Sequence, residues 1–238
     1  MKPKIILGSE HDCSEYQAHI DFIKDMLWMA PWGKVTYIGS ISIRRAHYLE
    51  LYDEATISAK ERMDFNNQRR AGLKFGENNA GLDGERAGVL VELLGEHYLK
   101  FYGLHSDFEC APIKAKSGSQ CYGVPDLVHA ENPKITYDFK AINKSLKGSR
   151  FNINRASHEK KSVHSYIVCR IDEDLTTAET VVFEFFILPY SLVGKKEVGF
   201  EEKPGLKNPK ETYYTVYLDL LNCLRLCNYT YKDLEALL

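Results

Sequence analysis

The chain has 238 residues, of which 44% are hydrophobic and 12% are aromatic, and its formal net charge is −2. This length and composition support a substantial buried core and exclude a disordered protein. No apolar run approaches the ~20 residues that a membrane span needs, and the three apolar residues Ile5, Ile6 and Leu7 are too few for a signal-peptide core. We therefore expect a cytoplasmic protein without a membrane partner, whose six scattered cysteines are reduced thiols.

Helical patterns dominate the first third of the chain. Apolar residues recur at helical spacing over 12–30, and a short strand is expected at 35–38. A long charged helix over 44–70 follows, and its weak apolar stripe predicts a position outside the core. The stripe consists of Leu49, Tyr52, Thr56 and Met63. Such a helix is either a solvated surface element or an arm for dimerisation or DNA contact, and the glycine-rich residues 72–84 after it predict a loop.

The middle of the chain carries the strongest core signals. Residues 85–102 form the most apolar helical pattern and predict a buried helix. The predicted strands lie at about 108–115, 122–128, 135–142, 163–171, 181–188 and 213–218, with a polar helix near 153–161 and a last helix capped by Thr230. This order of elements predicts an α/β fold with a mixed β-sheet core flanked by helices.

Two aspartates and a lysine lie on predicted neighbouring strands. Side chains alternate in direction along a strand, so Asp138 and Lys140 share one face of the strand over 135–142. Asp126 follows Pro125 in the preceding apolar run. Because magnesium takes hard oxygen ligands and is often held by one or two carboxylates beside a phosphate, this pattern predicts a site for phosphodiester hydrolysis.

We assign Asp126 and Asp138 as ligands of Mg²⁺, for which Mn²⁺ can substitute, and the Phe139 carbonyl as a third ligand. Lys140 would orient or help deprotonate the attacking water and offset phosphate charge. The alternatives are a turn role for Asp126 after Pro125 and an exposed strand pair of opposite charge for Asp138 and Lys140.

Glu92 is a further candidate acid, in the middle of the most apolar helical pattern. An ionised carboxylate in such a place is costly unless a metal or a counter-charge compensates it. Glu85 and Glu96 lie on nearly the same helix face and compete for the same role. The alternative for Glu92 is a position at the helix edge or a pair with a buried arginine.

A basic window begins at this candidate site. From Lys134 to Arg170 the chain has nine Lys or Arg and two Asp or Glu, a net charge of +7. Such a surface suits a polyanion, although a solvated basic face has the same composition. The predicted nucleic-acid contacts are Asn143, Lys144, Lys147, Arg150, Asn154, Arg155, Lys160 and Lys161. His158 and His164 lack a partner pattern for catalysis and are expected to be surface or packing histidines.

The order of Glu92, Pro125-Asp126 and Asp138-Phe139-Lys140 resembles the PD-(D/E)XK nuclease superfamily, typified by type II restriction endonucleases. The resemblance covers about residues 85–190 and implies a restriction-endonuclease-like fold for them. It further implies three parts of the chain, which are a mainly helical N-terminal elaboration (1–84), the nuclease core (85–190) and a C-terminal extension packed on that core (191–238).

The resemblance also implies a function. The catalytic residues would be Glu92, Asp126, Asp138 and Lys140, in a magnesium-dependent endonuclease that cuts double-stranded DNA as part of a restriction system. A palindromic target would require a homodimer. Two alternatives stay open, namely an RNA or tRNA nuclease of the toxin kind that uses the same site and a non-catalytic DNA-binding protein of the same fold.

Overall fold

The computed structural model describes residues 6–7, 21, 24, 27, 36–72, 81–110, 124–145, 148–160, 163–172, 176–196, 199–206 and 208–218. The helices are α1 (Arg45–Gly72), α2 (Leu82–Phe101) and α3 (Arg155–Lys160), with a short 3-10 helix at Tyr190–Leu192. The strands are β1 (Ile6–Leu7), β2 (Thr36–Arg44), β3 (Phe108–Cys110), β4 (Leu127–His129), β5 (Thr136–Ala141), β6 (Asn143–Ser145), β7 (Gly148–Asn154), β8 (Ser165–Asp172), β9 (Thr180–Pro189), β10 (Glu201–Pro204) and β11 (Thr212–Leu218).

Seven strands form the central sheet in the order β1-β2-β9-β8-β5-β4-β3. The sheet is mixed, because β5 pairs with β8 in parallel whereas β4 pairs with β5 and β9 pairs with β8 in antiparallel fashion. The expected α/β architecture with a mixed sheet flanked by helices is thus confirmed. Strand β2 is longer than its predicted range and pairs with β9, so it belongs to the same sheet as the strands of the predicted core.

One face of the central sheet packs against α2. Its core includes Tyr137 and Phe139 from β5, which alternate with the polar residues of that strand and meet Leu94 of the helix. Gly95 allows a close approach here, since a Cβ atom at this position would lie 2.1 Å from the Cζ atom of Phe139. The hydroxyl group of Tyr98 donates to the Ile38 carbonyl at 2.7 Å and joins α2 to strand β2.

The expected position of α1 outside the core is wrong. The helix packs against α2 through Leu51, Ala55 and Ala59, all of them buried. These residues are spaced by four and share one helix face, whereas Leu49 of the predicted stripe is 51% exposed. Tyr52 of that stripe does pack against the core, but the sequence missed the extent of the contact because two of its buried residues are alanines, which carry little hydrophobic signal.

The opposite face of the central sheet is covered by a second sheet, with the strand order β10-β11-β7-β6. Phe151, Ile153 and Val216 of this sheet share a second buried cluster with Val168 and Phe186 of the central sheet. The polar helix expected from residue 153 begins only at α3, because the chain before it forms β7. The sequence analysis predicted no strand at β6, β7 or β10.

Several predicted features fall partly or wholly on residues outside the described ones. These are most of the helix over 12–30, in which Asp21, Lys24 and Leu27 are helical, most of the loop over 72–84, the end of the strand over 108–115 and the last helix after Thr230. Cys169 is buried with a free thiol, as expected. Among the described helices, none is long and apolar enough to cross a membrane.

The close contact between α2 and β5 gives a stability prediction. Gly95→Ala is expected to destabilise the protein by about 1–3 kcal/mol, because the added methyl group overlaps the buried Phe139 ring. Gly88→Ala in the same helix is the matched control, since nothing lies within 4 Å of its added Cβ, and it should stabilise by about 0.5–1 kcal/mol. Urea unfolding followed by circular dichroism measures both, and equal changes in the two variants would contradict the contact.

Candidate active site

Strand β5 separates its side chains between the core and the candidate site. Tyr137 and Phe139 enter the core, while Asp138 and Lys140 lie on the other face of the sheet. The Asp138 side chain is 0% exposed and that of Lys140 is 26% exposed. The Lys140 ammonium donates to Oδ2 of Asp138 at 2.6 Å and to the Phe139 carbonyl at 3.0 Å, so this pair is partly buried, not the exposed pair of the alternative interpretation.

Asp126 reaches the same strand from its neighbour. It immediately precedes β4, which pairs with β5 through Leu127 and Tyr137. Its carboxylate accepts the backbone N–H of Phe139 at 2.6 Å and is buried. The structure therefore brings the two predicted aspartates together on adjacent strands, on either side of Phe139.

Glu92 pairs with a buried arginine, the alternative considered for it. Arg62 of α1 donates to both carboxylate oxygens of Glu92, at 2.9 and 2.5 Å, and the two side chains are 12% and 10% exposed. Such a forked arginine–carboxylate contact is strong and geometrically specific. Among the three competing glutamates, Glu92 is the buried one, whereas Glu85 and Glu96 are half-buried.

Arg62 is a site residue that the sequence analysis missed. It lies three positions after Ala59 on the face of α1 that contacts α2, so the spacing of Leu51, Ala55 and Ala59 is the signal that could have found it. Burial disfavours its guanidinium charge, but the hydrogen bonds that it donates to Glu92 and the charges of Glu92, Asp126 and Glu85 outweigh this effect and raise the pKa of Arg62. Arg62 thus pairs with the helix acid and also interacts with the charge of Asp126.

Charges of both signs meet at the site. Burial disfavours the Lys140 ammonium, yet the nearby charges of Asp138, Asp126 and Glu92 outweigh it and raise the pKa of Lys140. Asp126 and Asp138 are themselves buried, and a cation beside a buried carboxylate offsets part of the cost of removing that carboxylate from water.

The donor set fits a magnesium ion. Asp126, Asp138 and the Phe139 carbonyl supply hard oxygens, each with more lone pairs than the protein hydrogen bonds named above use. Glu92 is committed to Arg62 and is better suited to hold that arginine than to bind metal. Among the described residues there is no group of three or more His, Cys, Asp or Glu arranged around one metal position, but Mg²⁺ commonly takes only one or two carboxylates together with substrate phosphate and water.

The predicted nucleic-acid contacts follow β6, β7 and α3. Asn154 caps α3, since its side-chain oxygen accepts the N–H of Ser157 at 3.0 Å, and Arg155 pairs with Glu159 at 2.7 Å and Glu202 at 3.0 Å. Arg150 is half-buried in β7 and Lys160 is exposed on α3. For Asn143 and Lys144 only the backbone is described, in β6, and Lys147 and Lys161 lie outside the described residues. Asn154 and Arg155 thus make contacts within the protein.

His158 packs in the protein, beside the candidate site. It is buried, its Nδ1 atom lies 2.7 Å from the hydroxyl group of Tyr166, and its ring stacks on Tyr190 with centroids 4.0 Å apart. Burial lowers the pKa of His158 to about 4, and the charge of Glu159 only partly opposes this. His158 is therefore neutral near pH 7.

The Arg62–Glu92 pair predicts a large coupling energy. Arg62→Met should lower the free energy of unfolding by about 3–5 kcal/mol, because it leaves the Glu92 charge buried without its partner. The double variant that also carries Glu92→Gln should recover part of that loss. Chemical denaturation of the two single variants and the double variant measures the coupling. Lys203→Met is the control, since Lys203 and Glu201 form an exposed pair whose loss should cost less than about 1 kcal/mol. Additive costs at Arg62 and Glu92 would contradict the pairing.

The depressed pKa of His158 predicts a loss of stability in acid. The folded state binds a proton at His158 more weakly than the unfolded chain, whose histidine pKa is near 6.5. The contribution of neutral His158 to the free energy of unfolding is therefore lost as the pH falls from about 6.5 towards 4. Between pH 7 and pH 5 it amounts to about 2 kcal/mol. Urea unfolding of wild type and His158→Phe at both pH values should show a smaller acid loss in the variant, and an equal loss would contradict the prediction.

The comparisons with known proteins identify no relative. Neither protein-family models, nor curated protein sequences, nor solved structures give a significant match to the chain. The resemblance to PD-(D/E)XK nucleases accordingly rests on the order of the motif residues and stays a prediction.

Proposed function

We propose that the chain is a magnesium-dependent endonuclease that hydrolyses phosphodiester bonds in double-stranded DNA. The observation that carries the proposal is the convergence of Asp126, Asp138 and Lys140 on adjacent strands, with both aspartates buried. Two carboxylates can hold a metal ion beside a phosphate, and a lysine can offset the phosphate charge, so these groups suit cation-assisted phosphodiester hydrolysis. We further propose that the chain belongs to the PD-(D/E)XK nuclease superfamily, which the order of its motif residues resembles, and that its core has the restriction-endonuclease-like fold.

The aspartates are proposed to hold the ion. Asp126 is fixed by the N–H of Phe139 and Asp138 by the ammonium of Lys140, so neither carboxylate has to be ordered when a cation arrives. The Phe139 carbonyl, which accepts from the same Lys140 ammonium as Asp138, is proposed to supply a further oxygen. When bound, Mg²⁺ would lower the pKa of a water molecule and stabilise the charge that develops on the phosphate.

Lys140 is proposed to act in its protonated form. Because neighbouring carboxylates raise its pKa, the ammonium persists at neutral pH and cannot accept a proton. It can donate hydrogen bonds to the attacking water or to a phosphate oxygen and offset negative charge there. This favours orientation over deprotonation, the two roles that the sequence left open.

Glu92 is proposed to act through Arg62. The carboxylate holds both ends of the guanidinium group, and the Arg62 charge interacts with that of Asp126. Arg62 therefore contributes positive charge next to the metal ligands, where a phosphate would approach. In this arrangement Glu92 is a positioning residue.

The basic window favours a nucleic-acid substrate. Lys160 is exposed on α3, and Arg150 lies on β7 in the sheet that covers the Asp138 side of the central sheet. We propose double-stranded DNA as the substrate, in the cytoplasm and in a restriction system, with a homodimer if the target is palindromic. Because Asn154 and Arg155 make contacts within the protein, as Arg150 does with the Asn152 side chain, we give more weight to the exposed Lys160 as a DNA contact.

One observation favours a second candidate, a DNA-binding protein without activity. Both site cations already have partners within the protein, Lys140 with Asp138 and Arg62 with Glu92. A fold that had lost its metal would need such pairs to neutralise its carboxylates. This candidate predicts DNA binding that is indifferent to Mg²⁺.

Cleavage of plasmid DNA tests the proposal. Purified protein with Mg²⁺ should cut methylated or unmethylated plasmid, EDTA should abolish the cuts, and Asp138→Asn should lower the rate about 100-fold or more because it removes a charged ligand. Asp83→Asn is the matched control, since Asp83 is 90% exposed in α2, and its rate should equal that of the wild type.

The other outcomes decide against the proposal. Cleavage of RNA but not of DNA in parallel digests would replace it with an RNA nuclease that uses the same site. DNA binding with no cleavage, unchanged by Mg²⁺ and by Asp126→Asn, would favour the protein without activity.

A further inference from the structure

A buried tyrosine lies beside the Asp138–Lys140 pair. Tyr166 stands directly opposite Asp138 in the parallel pairing of β5 and β8, and it is fully buried in the second cluster. Cross-strand partners of this kind have adjacent side chains on one face of a sheet. The register of β5 and β8 therefore places Tyr166 beside the candidate site.

The tyrosine ring faces the lysine. The Lys140 ammonium lies over the Tyr166 ring, 5.7 Å from its centroid, within the range of a cation–π interaction. Such a contact compensates part of the cost of removing the ammonium from water. Together with the oxygens of Asp138 and Phe139, the ring defines where the end of a flexible four-carbon side chain can lie.

The tyrosine hydroxyl group is fixed by His158. Its oxygen lies 2.7 Å from Nδ1 of His158. Burial lowers the pKa of His158 to about 4 and raises the pKa of Tyr166 above its ordinary value, so at neutral pH both groups are uncharged and the hydrogen bond joins a neutral phenol to a neutral imidazole.

His158 is itself held in place by a third residue. Tyr190 stacks on its ring at 4.0 Å, and the Tyr190 hydroxyl group donates to the His158 carbonyl at 2.9 Å. The ring edge of Tyr214 adds a contact with centroids 5.7 Å apart. These contacts fix the orientation of the His158 ring. The hydrogen bond between His158 and Tyr166 in turn fixes the position of the Tyr166 hydroxyl group.

We propose that Tyr166 is a positioning residue for Lys140 in phosphodiester hydrolysis and that His158 holds Tyr166 in the position this requires. The proposal rests on the proposed function, because it assigns Lys140 a task there. It gives a role to His158, which the sequence analysis treated as packing only, and it acts through Lys140 without contact between Tyr166 and substrate. The ring, not the hydroxyl group, makes the contact with the ammonium.

The side-chain ammonium signal of Lys140 in a ¹⁵N-edited NMR spectrum tests the contact without any activity. A proton above an aromatic ring is shielded, so Tyr166→Leu should move the Lys140 signal downfield, whereas Tyr166→Phe should leave it near its wild-type position. Phe186→Leu is the matched control, because it removes another buried ring from the same cluster, one that lies near Arg170. A Lys140 signal that is the same in Tyr166→Leu and Phe186→Leu would overturn the proposal.

Kinetics with plasmid DNA and Mg²⁺ test the consequence for catalysis. Tyr166→Leu should lower kcat between about 10-fold and 100-fold, since a displaced catalytic group is costly, with KM within about 2-fold of wild type. His158→Phe should lower kcat as well, and His158→Gln, whose amide can still form a hydrogen bond with the Tyr166 hydroxyl group, should lower it less. Phe186→Leu should have a kcat close to wild type.

The two levels of the claim can fail separately. A wild-type kcat in Tyr166→Leu, or an equal loss in Tyr166→Leu and Phe186→Leu, would overturn the positioning role and leave the proposed nuclease intact. A displaced Lys140 signal in a protein that cleaves no nucleic acid would overturn the proposed function and, with it, any catalytic role of the contact.

Discussion

The site depends on the burial of a charged aspartate in the middle of a sheet. Asp138 has no exposed surface, and an ionised carboxylate in that position requires compensation from within the protein. Lys140 provides it on the same face of β5, and the Arg62–Glu92 pair provides a second balanced contact close by. Buried carboxylates held by fixed cationic partners are the feature of the fold on which the proposed cation-dependent chemistry depends.

The fold holds the charged residues through the packing beneath them. Phe139 lies between Asp138 and Lys140 and is fixed on its core side by the close approach of α2 at Gly95, while its N–H group is bound by Asp126. On the other face, Tyr166 and the second sheet cover the strand. Strand β5 therefore has little freedom, and residues on a rigid element can be positioned more precisely than residues on a loop.

The sequence predicts strand β5 and the faces of its residues well, because strict alternation identifies which side chains share a face. Arg62 and the packing of α1 could not be predicted as readily, since the contact with α2 is made by Ala55 and Ala59, which carry little hydrophobic signal. The β6–β7 hairpin was missed because its basic and amide residues resemble a solvated loop. The ion pair of Arg155 with Glu202 also joins residues 47 positions apart, which local patterns do not encode.

We propose that Asp126 and Asp138 form a cation site next to Lys140. Anomalous X-ray diffraction from crystals soaked in Mn²⁺ tests this site without reference to activity, because it locates the ion itself. We expect a peak between the two aspartate carboxylates in the wild type and no peak there in Asp138→Asn. A wild-type crystal without a peak at these carboxylates, with Lys140 still bound to Asp138, would contradict it.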